Sequence, residues 1–201
     1  IGVNGNGMHT NMSLFRDSTN LFYDAAGPEE LSELAWDFVH RILTNALDLC
    51  LALNPSVNAY RRLDPHFEAP NQIKASPIDR GSMIRIPLGN SRSARIEVRS
   101  ISPDVNPYLA IYLLLRTGLE GPKADKLDPE AVLPNNIYDA AQPFRISSFV
   151  AEVLSPSVQG RYAAVKLAAA DRCPRLLGNF IKPAEFQFHH EVTNQYLWNQ
   201  F

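Results

Sequence analysis

Apolar side chains recur with helical spacing in two long segments of the chain. Between residues 28 and 53 they return every three or four positions, which predicts one long helix that begins at Pro28 and stops before Pro55. A second apolar helix is predicted from Asn106 to Gly118, with a proline at its first turn. Both segments are long enough to cover a sheet.

The segments around these helices alternate between apolar and polar positions, as half-buried strands do. Strands are predicted at residues 7–15, 73–75, 82–87 and 94–100. Residues 121–143 read as a long polar connection, and the remainder reads as helices broken near Pro156, Pro174 and Pro183. The order of strands and helices predicts an α+β fold, with an antiparallel sheet covered on one side by helices.

The segment from residue 78 to residue 100 carries an unusual concentration of arginine around a single carboxylate, Glu97. The arginines are Arg80, Arg85, Arg92, Arg95 and Arg99. Period-two alternation places Arg95, Glu97 and Arg99 on one face of a strand. Arginine forks bind phosphate or carboxylate oxygens in pairs, so this face fits an anionic ligand. The alternative is an exposed strand face with weak surface ion pairs.

Composition limits the class of protein. The chain has 201 residues, a hydrophobic fraction of 45%, a charged fraction of 20% and a net charge of −2, as in a soluble globular protein. The near balance of charge argues against general nucleic-acid binding. No apolar run is long enough to span a membrane and no leader opens the chain, so we expect a cytoplasmic protein with reduced Cys50 and Cys173.

Six short motifs, in order, resemble the catalytic domain of glutamine synthetases of the class I type. They are Asn4-Gly5-Asn6-Gly7-Met8-His9, Asn54-Pro55-Ser56-Val57-Asn58-Ala59-Tyr60-Arg61-Arg62-Leu63, Phe67-Glu68-Ala69-Pro70, Arg85-Ile86-Pro87, Arg95-Ile96-Glu97-Val98-Arg99 and Asn106-Pro107-Tyr108-Leu109-Ala110. The resemblance implies the glutamine synthetase/guanido kinase type of catalytic fold. It also implies ATP-dependent ligation of ammonia to the γ-carboxyl of glutamate through γ-glutamyl phosphate, with Mg²⁺ or Mn²⁺ as cofactor. Relatives use amines in place of ammonia.

The resemblance assigns metal and substrate roles to individual residues. His9 and Glu97 are implied to bind the ion that holds the ATP phosphates. The glutamate substrate is implied to bind at Asn4, Gly5, Arg62, Glu68 and Arg99. Glu68 is also implied to be a catalytic flap residue that takes a proton from bound ammonium.

The resemblance places ATP beside six further side chains. They are Asn11, Ser13, Arg80, Arg85, Arg92 and Arg95. Arg80 is also implied to be catalytic, by stabilising the phosphoryl group during transfer. The chemistry of acyl phosphate formation fits such a set, because moving a phosphoryl group requires a divalent ion and cations that offset its charge.

The chain departs from the family pattern at three positions. Asn11 stands where many members have a second histidine, and Arg92 stands where many have lysine. Tyr138 matches a loop tyrosine that some bacterial members adenylylate, but Ala140-Ala141-Gln142-Pro143 differs from the usual continuation, so we do not expect regulation there.

The chain starts at Ile1 without an initiator methionine, just before the glycine-rich motif. We therefore expect residues 1–201 to be the carboxyl-terminal catalytic portion of a longer protein, without its amino-terminal domain. The family's other metal-binding glutamates have no match here, so this portion alone is expected to be inactive. The full-length protein is expected to be a homo-oligomeric ring, a dodecamer by the resemblance, that binds neither nucleic acid nor membrane.

Two other functions remain open at this point. A phosphotransferase of the phosphagen kinase type would also use arginines to bind ATP, but would not require the motifs that contain His9 and Glu68. A catalytically inactive structural or regulatory relative would retain the fold without the chemistry, and the retained His9, Arg62, Glu68, Arg80 and Glu97 argue against it.

Overall fold

A computed structural model of the chain describes residues 6–63 and 69–177. The strands are β1 (Thr10–Met12), β2 (Phe15–Arg16), β3 (Thr19–Asn20), β4 (Gln72–Ser76), β5 (Ser82–Arg85) and β6 (Ile96–Val98). The helices are α1 (Glu33–Thr44), α2 (Ala46–Leu53), α3 (Val57–Arg62), α4 (Pro107–Glu120), α5 (Ile137–Ile146), α6 (Ser148–Leu154) and α7 (Pro156–Leu177). The mixture of helices and strands confirms the predicted combination of both element types.

The sheet places four strands in the order β1-β6-β5-β4. β6 is antiparallel to both β1 and β5, but β4 and β5 are parallel, so the prediction of an antiparallel sheet is wrong for that pair. Residues 77–81 form the short return that permits it. The predicted strand at residues 7–15 is also shorter, because only Thr10–Met12 pairs with β6 and the chain then turns into the β2-β3 hairpin.

The two faces of this sheet differ in polarity. Ile84 and Val98 are partners across β5 and β6, and both are completely buried in the main hydrophobic cluster together with side chains of the helices. The next pair along the same strands is Arg85 and Glu97, which lies on the opposite face because side chains alternate. One face therefore forms the core, and the other presents charged groups.

The predicted long helix is two helices that meet at Asn45. The Asn45 amide donates to the Arg41 carbonyl at 2.7 Å and to the Pro122 carbonyl at 3.0 Å. Its backbone, with φ −99° and ψ 13°, departs from helical geometry. The break is thus stabilised by a bond to the connection that follows α4, which lies far away in sequence.

The start of this region also differs from the prediction. Pro28–Glu30 forms a separate 3₁₀ turn, in which Glu29 and Glu30 have φ values of 53° and 56°. α1 begins later, where Ser32 accepts a hydrogen bond from the Ala35 N–H. A serine cap therefore defines the helix start, rather than the proline.

α4 follows the prediction closely and packs against α1 in the core. Asn106 caps it by accepting from the N–H groups of Tyr108 and Leu109, and the helix ends at Glu120. Gly118 faces the ring of Phe38 on α1, where a Cβ atom would come within 2.2 Å of the ring. Glycine at this position allows the two helices to approach closely.

Residues 121–177 are more helical than the sequence indicated. Pro143 lies inside α5 instead of ending the connection, and α7 continues through Pro174 without the predicted break. The side chain of Gln159 donates to the Phe144 carbonyl at 2.7 Å and to the Ser147 carbonyl at 2.8 Å, which satisfies the end of α5. The prediction of a break at Pro183 lies outside the described residues.

Candidate active site

A row of three polar side chains crosses the charged face of the sheet. Asn11 on β1, Glu97 on β6 and Arg85 on β5 are direct register partners, so their side chains lie next to one another. Glu97 is only 7% exposed, whereas Arg85 and Asn11 are exposed. Arg95 and Arg99 flank Glu97 on the same face of β6. The predicted alternation of charge and hydrocarbon is therefore present in the structure.

The two carboxylate oxygens of Glu97 contact two different side chains. Its Oε1 lies 2.9 Å from His9 Nδ1, and its Oε2 lies 3.3 Å from Arg85 Nη1. Burial lowers the pKa of His9, and the charges of Arg99 and Arg62 lower it further, while Glu97 opposes them. The imidazole is thus kept neutral at neutral pH, the form that binds metals.

The pair of His9 and Glu97 fits part of a divalent-cation site. Neighbouring ligands of an octahedral ion bound at about 2.1 Å lie roughly 3 Å apart, which matches the 2.9 Å between Nδ1 and Oε1. Within residues 6–63 and 69–177, no group of three His, Cys, Asp or Glu side chains could hold a metal. Among the described residues, His9 and Glu97 are therefore the two side chains that fit as neighbouring ligands of such an ion.

Arg62 lies at the end of α3, and its guanidinium is a positive group beside His9. Its guanidinium donates to the Ser100 carbonyl at 3.1 Å and also to the Arg99 carbonyl. Burial, together with the charge of Arg99, lowers the Arg62 pKa to about 10, so it remains charged at neutral pH. A Cβ on Gly7 would lie 2.3 Å from Arg62 Nη2, so Gly7 packs directly on this guanidinium.

Arg99 connects this region to Arg80. Its Nη1 donates to the Arg80 carbonyl at 2.6 Å, while Arg80 itself lies on the exposed return between β4 and β5. The structure thus brings together Arg62, Arg99 and Arg80 at one end of the row that contains Glu97. Of these, the guanidinium groups of Arg62 and Arg99 lie near each other, and such groups can bind carboxylate and phosphoryl oxygens.

The other side chains predicted to contact ATP belong to Arg95, Asn11, Arg92 and Ser13. Arg95 Nε donates to Asn11 Oδ1 at 2.9 Å, and its Nη1 donates to the Ser93 carbonyl at 3.1 Å. Arg92 is exposed on the turn before β6, and Ser13 is half-buried just after β1. Neither of the last two has a hydrogen bond to the other predicted site residues within the described part of the chain.

Some predictions lie outside the described residues or away from this face. Asn4, Gly5 and Glu68 fall in the segments that the structure does not describe. Tyr138 lies at the start of α5, where its side chain is 44% exposed. Sequence reasoning overlooked Asp79, although an acid two residues before a glycine is a frequent signal of a side-chain-stabilised turn.

None of the helices that the structure describes is both long enough and apolar enough to cross a membrane.

Comparison with known proteins identifies the family. The family model for the catalytic domain of glutamine synthetase matches residues 1–181. A glutamine synthetase of Staphylococcus aureus is 36% identical over 208 residues, an alignment that covers 100% of this chain and 46% of the relative. A glutamine synthetase of Methanosarcina mazei is 39% identical over 185 residues, covering 82% of this chain and 41% of the relative.

A third relative, a glutamine synthetase of Clostridium saccharobutylicum, is 35% identical over 189 residues, or 85% of this chain and 43% of the relative. The chain spans less than half the length of these relatives. Since the family model covers most of the chain and includes every residue of the charged face, the chain belongs to the glutamine synthetase family and contains sequence of its catalytic domain.

Proposed function

We propose that this chain is the carboxyl-terminal catalytic portion of an enzyme that joins ammonia to the γ-carboxyl of glutamate, using ATP and forming γ-glutamyl phosphate. The observation that carries the proposal is the contact of Glu97 with both His9 and Arg85, beside Arg62 and Arg99. A metal-type pair next to two arginines suits a reaction that handles both phosphate and carboxylate groups.

His9 and Glu97 would hold a Mg²⁺ or Mn²⁺ ion. When bound, this ion would supply positive charge that offsets the charge of the nucleotide phosphates. The lowered pKa of His9 keeps the imidazole available as a ligand, and the buried Glu97 carboxylate is already oriented by Arg85. The carboxylate suits Mg²⁺ and Mn²⁺ alike, whereas an imidazole ligand is more typical of the later first-row metals.

The arginines would have three different roles. Arg62 and Arg99 lie beside His9 and would bind the carboxylates of glutamate, with Asn4 and Gly5 at its amino-acid end. Arg80 would offset charge on the phosphoryl group as it moves. Arg85, Arg92 and Arg95, with Asn11 and Ser13, would contact ATP, and Glu68 would close over the site and take a proton from ammonium. Assignments of Asn4, Gly5 and Glu68 rest on the sequence motifs alone.

The acceptor could be ammonia or an amine, which makes a γ-glutamyl-amine or polyamine ligase the alternative within the same family. The fold and the phosphoryl-transfer residues would be common to both reactions. We further propose that the whole protein forms a homo-oligomeric ring in the cytoplasm, because the family resemblance implies a ring.

The proposal is tested by measuring phosphate release by the full-length protein with ATP and Mg²⁺. Glutamate and a panel of ammonia and primary amines are added in turn. We expect release that requires both glutamate and one nitrogen donor. Release that does not depend on glutamate, or no release with any donor, would contradict the proposal. Glu97→Gln is the negative control. It keeps the shape of the side chain but removes its charge, so we expect it to release no phosphate.

A further inference from the structure

Residues 77–81 connect β4 to β5 and include Arg80. Most residues of this connection have a backbone group in a hydrogen bond. The Ser76 hydroxyl oxygen accepts from the Ile78 N–H at 3.3 Å and from the Asp79 N–H at 3.0 Å. The Gly81 carbonyl accepts from the Gln72 N–H at 3.0 Å. The loop therefore has one defined backbone path, although it lies at the surface.

Asp79 has the largest number of these contacts. Its Oδ1 accepts from the Gly81 N–H at 2.8 Å, and its Oδ2 lies 2.8 Å from Lys74 Nζ on β4. Its carbonyl accepts from the Ser82 N–H at 3.3 Å. The ion pair with Lys74 and the bond from Gly81 both lower the pKa of Asp79, so the carboxylate is charged at neutral pH.

The peptide group that links Arg80 to Gly81 is held at both ends. Its carbonyl accepts from Arg99 Nη1 at 2.6 Å, and its N–H donates to Asp79 Oδ1 at 2.8 Å. With both polar groups bonded, the plane of this peptide cannot rotate freely. The direction in which the Arg80 side chain leaves the backbone is fixed as a consequence.

We propose that Asp79, held by Lys74, is a positioning residue for Arg80, acting through the bonded peptide group between Arg80 and Gly81. This inference rests on the proposed function, in which Arg80 faces the transferred phosphoryl group. Neither Asp79 nor Lys74 is among the residues proposed to contact a substrate. Their effect is exerted through the geometry of Arg80, where a displacement of about 1 Å can reduce a rate by up to a hundredfold.

A purely structural role for this ion pair is the competing explanation. The side chains of Lys74 and Asp79 are 43% and 40% exposed, and an ion pair so exposed to solvent contributes little to folding. A structural role therefore predicts small changes in activity that track stability. A positioning role predicts a change in kcat that depends on the presence of Arg80.

The test compares three substitutions in the full-length protein. Asp79→Ala removes both contacts, and we expect it to lower kcat about tenfold or more. Asp79→Asn keeps an acceptor for the Gly81 N–H but loses the ion pair, and Lys74→Met also removes only the ion pair. We expect both to lower kcat by about two- to fivefold. The matched control is Lys123→Met, which breaks a similar lysine–aspartate pair with Asp37 on α1 and should leave kcat unchanged.

The decisive measurement is the same series in an Arg80→Ala background. If Asp79 acts through Arg80, then Asp79→Ala causes no further loss of kcat once Arg80 is gone. An equal loss in both backgrounds would overturn the proposal, as would a wild-type kcat for Asp79→Ala. Thermal unfolding of Asp79→Ala and Lys123→Met shows whether any loss merely follows stability.

A second measurement separates this inference from the proposed function. Calorimetric titration with inorganic pyrophosphate reports the contribution of Arg80 to anion binding without any turnover. We expect Arg80→Ala and Asp79→Ala to weaken pyrophosphate binding by a similar factor, and the double variant to bind no more weakly than Arg80→Ala. If wild-type protein shows no glutamate-dependent phosphate release, the proposed function fails. The comparison of pyrophosphate binding among the two single variants and the double variant still decides the role of Asp79. Additive losses, or no effect of Arg80→Ala, would overturn the inference.

Discussion

The contact between α1 and α4 offers a sharp test of how the core is packed. We predict that Gly118→Ala destabilises the protein, although alanine is a better helix former than glycine. An added Cβ would lie 2.2 Å, 2.3 Å and 2.3 Å from the three outermost carbons of the Phe38 ring. Phe38 is 1% exposed and packs edge-on against Phe22 at a centroid distance of 5.3 Å, so the ring has no free space to enter.

The magnitude follows from two opposing effects. Replacing glycine by alanine inside a helix gains about 1 kcal/mol of intrinsic helix stability. Overpacking a tight core costs about 1–3 kcal/mol. Because the Phe38 ring has to withdraw by about 1 Å to restore ordinary contact, we expect a cost toward the upper end and a net loss of about 2 kcal/mol.

Gly160→Ala in α7 is the matched control. Apart from its chain neighbours and the adjacent backbone of its own helix, no atom lies within 4 Å of a Cβ at Gly160. The position is exposed, so this variant should gain up to about 1 kcal/mol. Urea unfolding, followed by circular dichroism at one protein concentration, gives both free-energy changes. If Gly118→Ala were as stable as the wild type, or if Gly160→Ala were the more damaging change, the proposed packing of α1 on α4 would be wrong.

The remaining predictions concern the site and one half-buried acid. Glu97→Gln and His9→Ala should each abolish metal-dependent phosphate release while leaving the circular dichroism spectrum unchanged, and near-normal turnover at saturating Mg²⁺ would refute the assignment. Arg62→Ala should mainly raise KM for glutamate, while Arg80→Ala should mainly lower kcat, and the reverse pattern in steady-state kinetics would exchange their roles. Burial raises the pKa of Asp48, so its protonated form favours the fold, and that stabilisation is lost as pH rises through the raised pKa. Asp48→Asn should therefore raise Tm at pH 7 and have little effect near about pH 3, below the ordinary aspartate pKa. A Tm increase of equal size at both pH values would contradict this.

Local signals in the sequence determined several features reliably. The asparagine at 106 and the proline at 107 placed the start of α4, because capping and the fixed φ of proline act within one turn. Period-two alternation placed Arg95, Glu97 and Arg99 on one face, because strand geometry alone decides which residues share a face. The ordered motifs further indicated the family to which the chain belongs.

Other features depended on contacts between distant segments, which no local pattern encodes. The break between α1 and α2 is stabilised by the bond from Asn45 to the Pro122 carbonyl, and an apolar helical period continues through it. β4 and β5 pair in parallel although only residues 77–81 connect them, and the side chains of Asp79 and Ser76 form hydrogen bonds with the backbone of this connection.

The site likewise depends partly on local sequence signals and partly on contacts between distant segments. The sequence supplied the residue types, but only the tertiary structure brought His9 within 2.9 Å of Glu97 and placed Arg62 beside the backbone of Arg99. These contacts arise because β1 pairs with β6 and α3 ends next to them, so side chains distant in sequence share one small volume. Periodicity determines which face of an element a side chain occupies, whereas the packing of elements determines which side chains it meets.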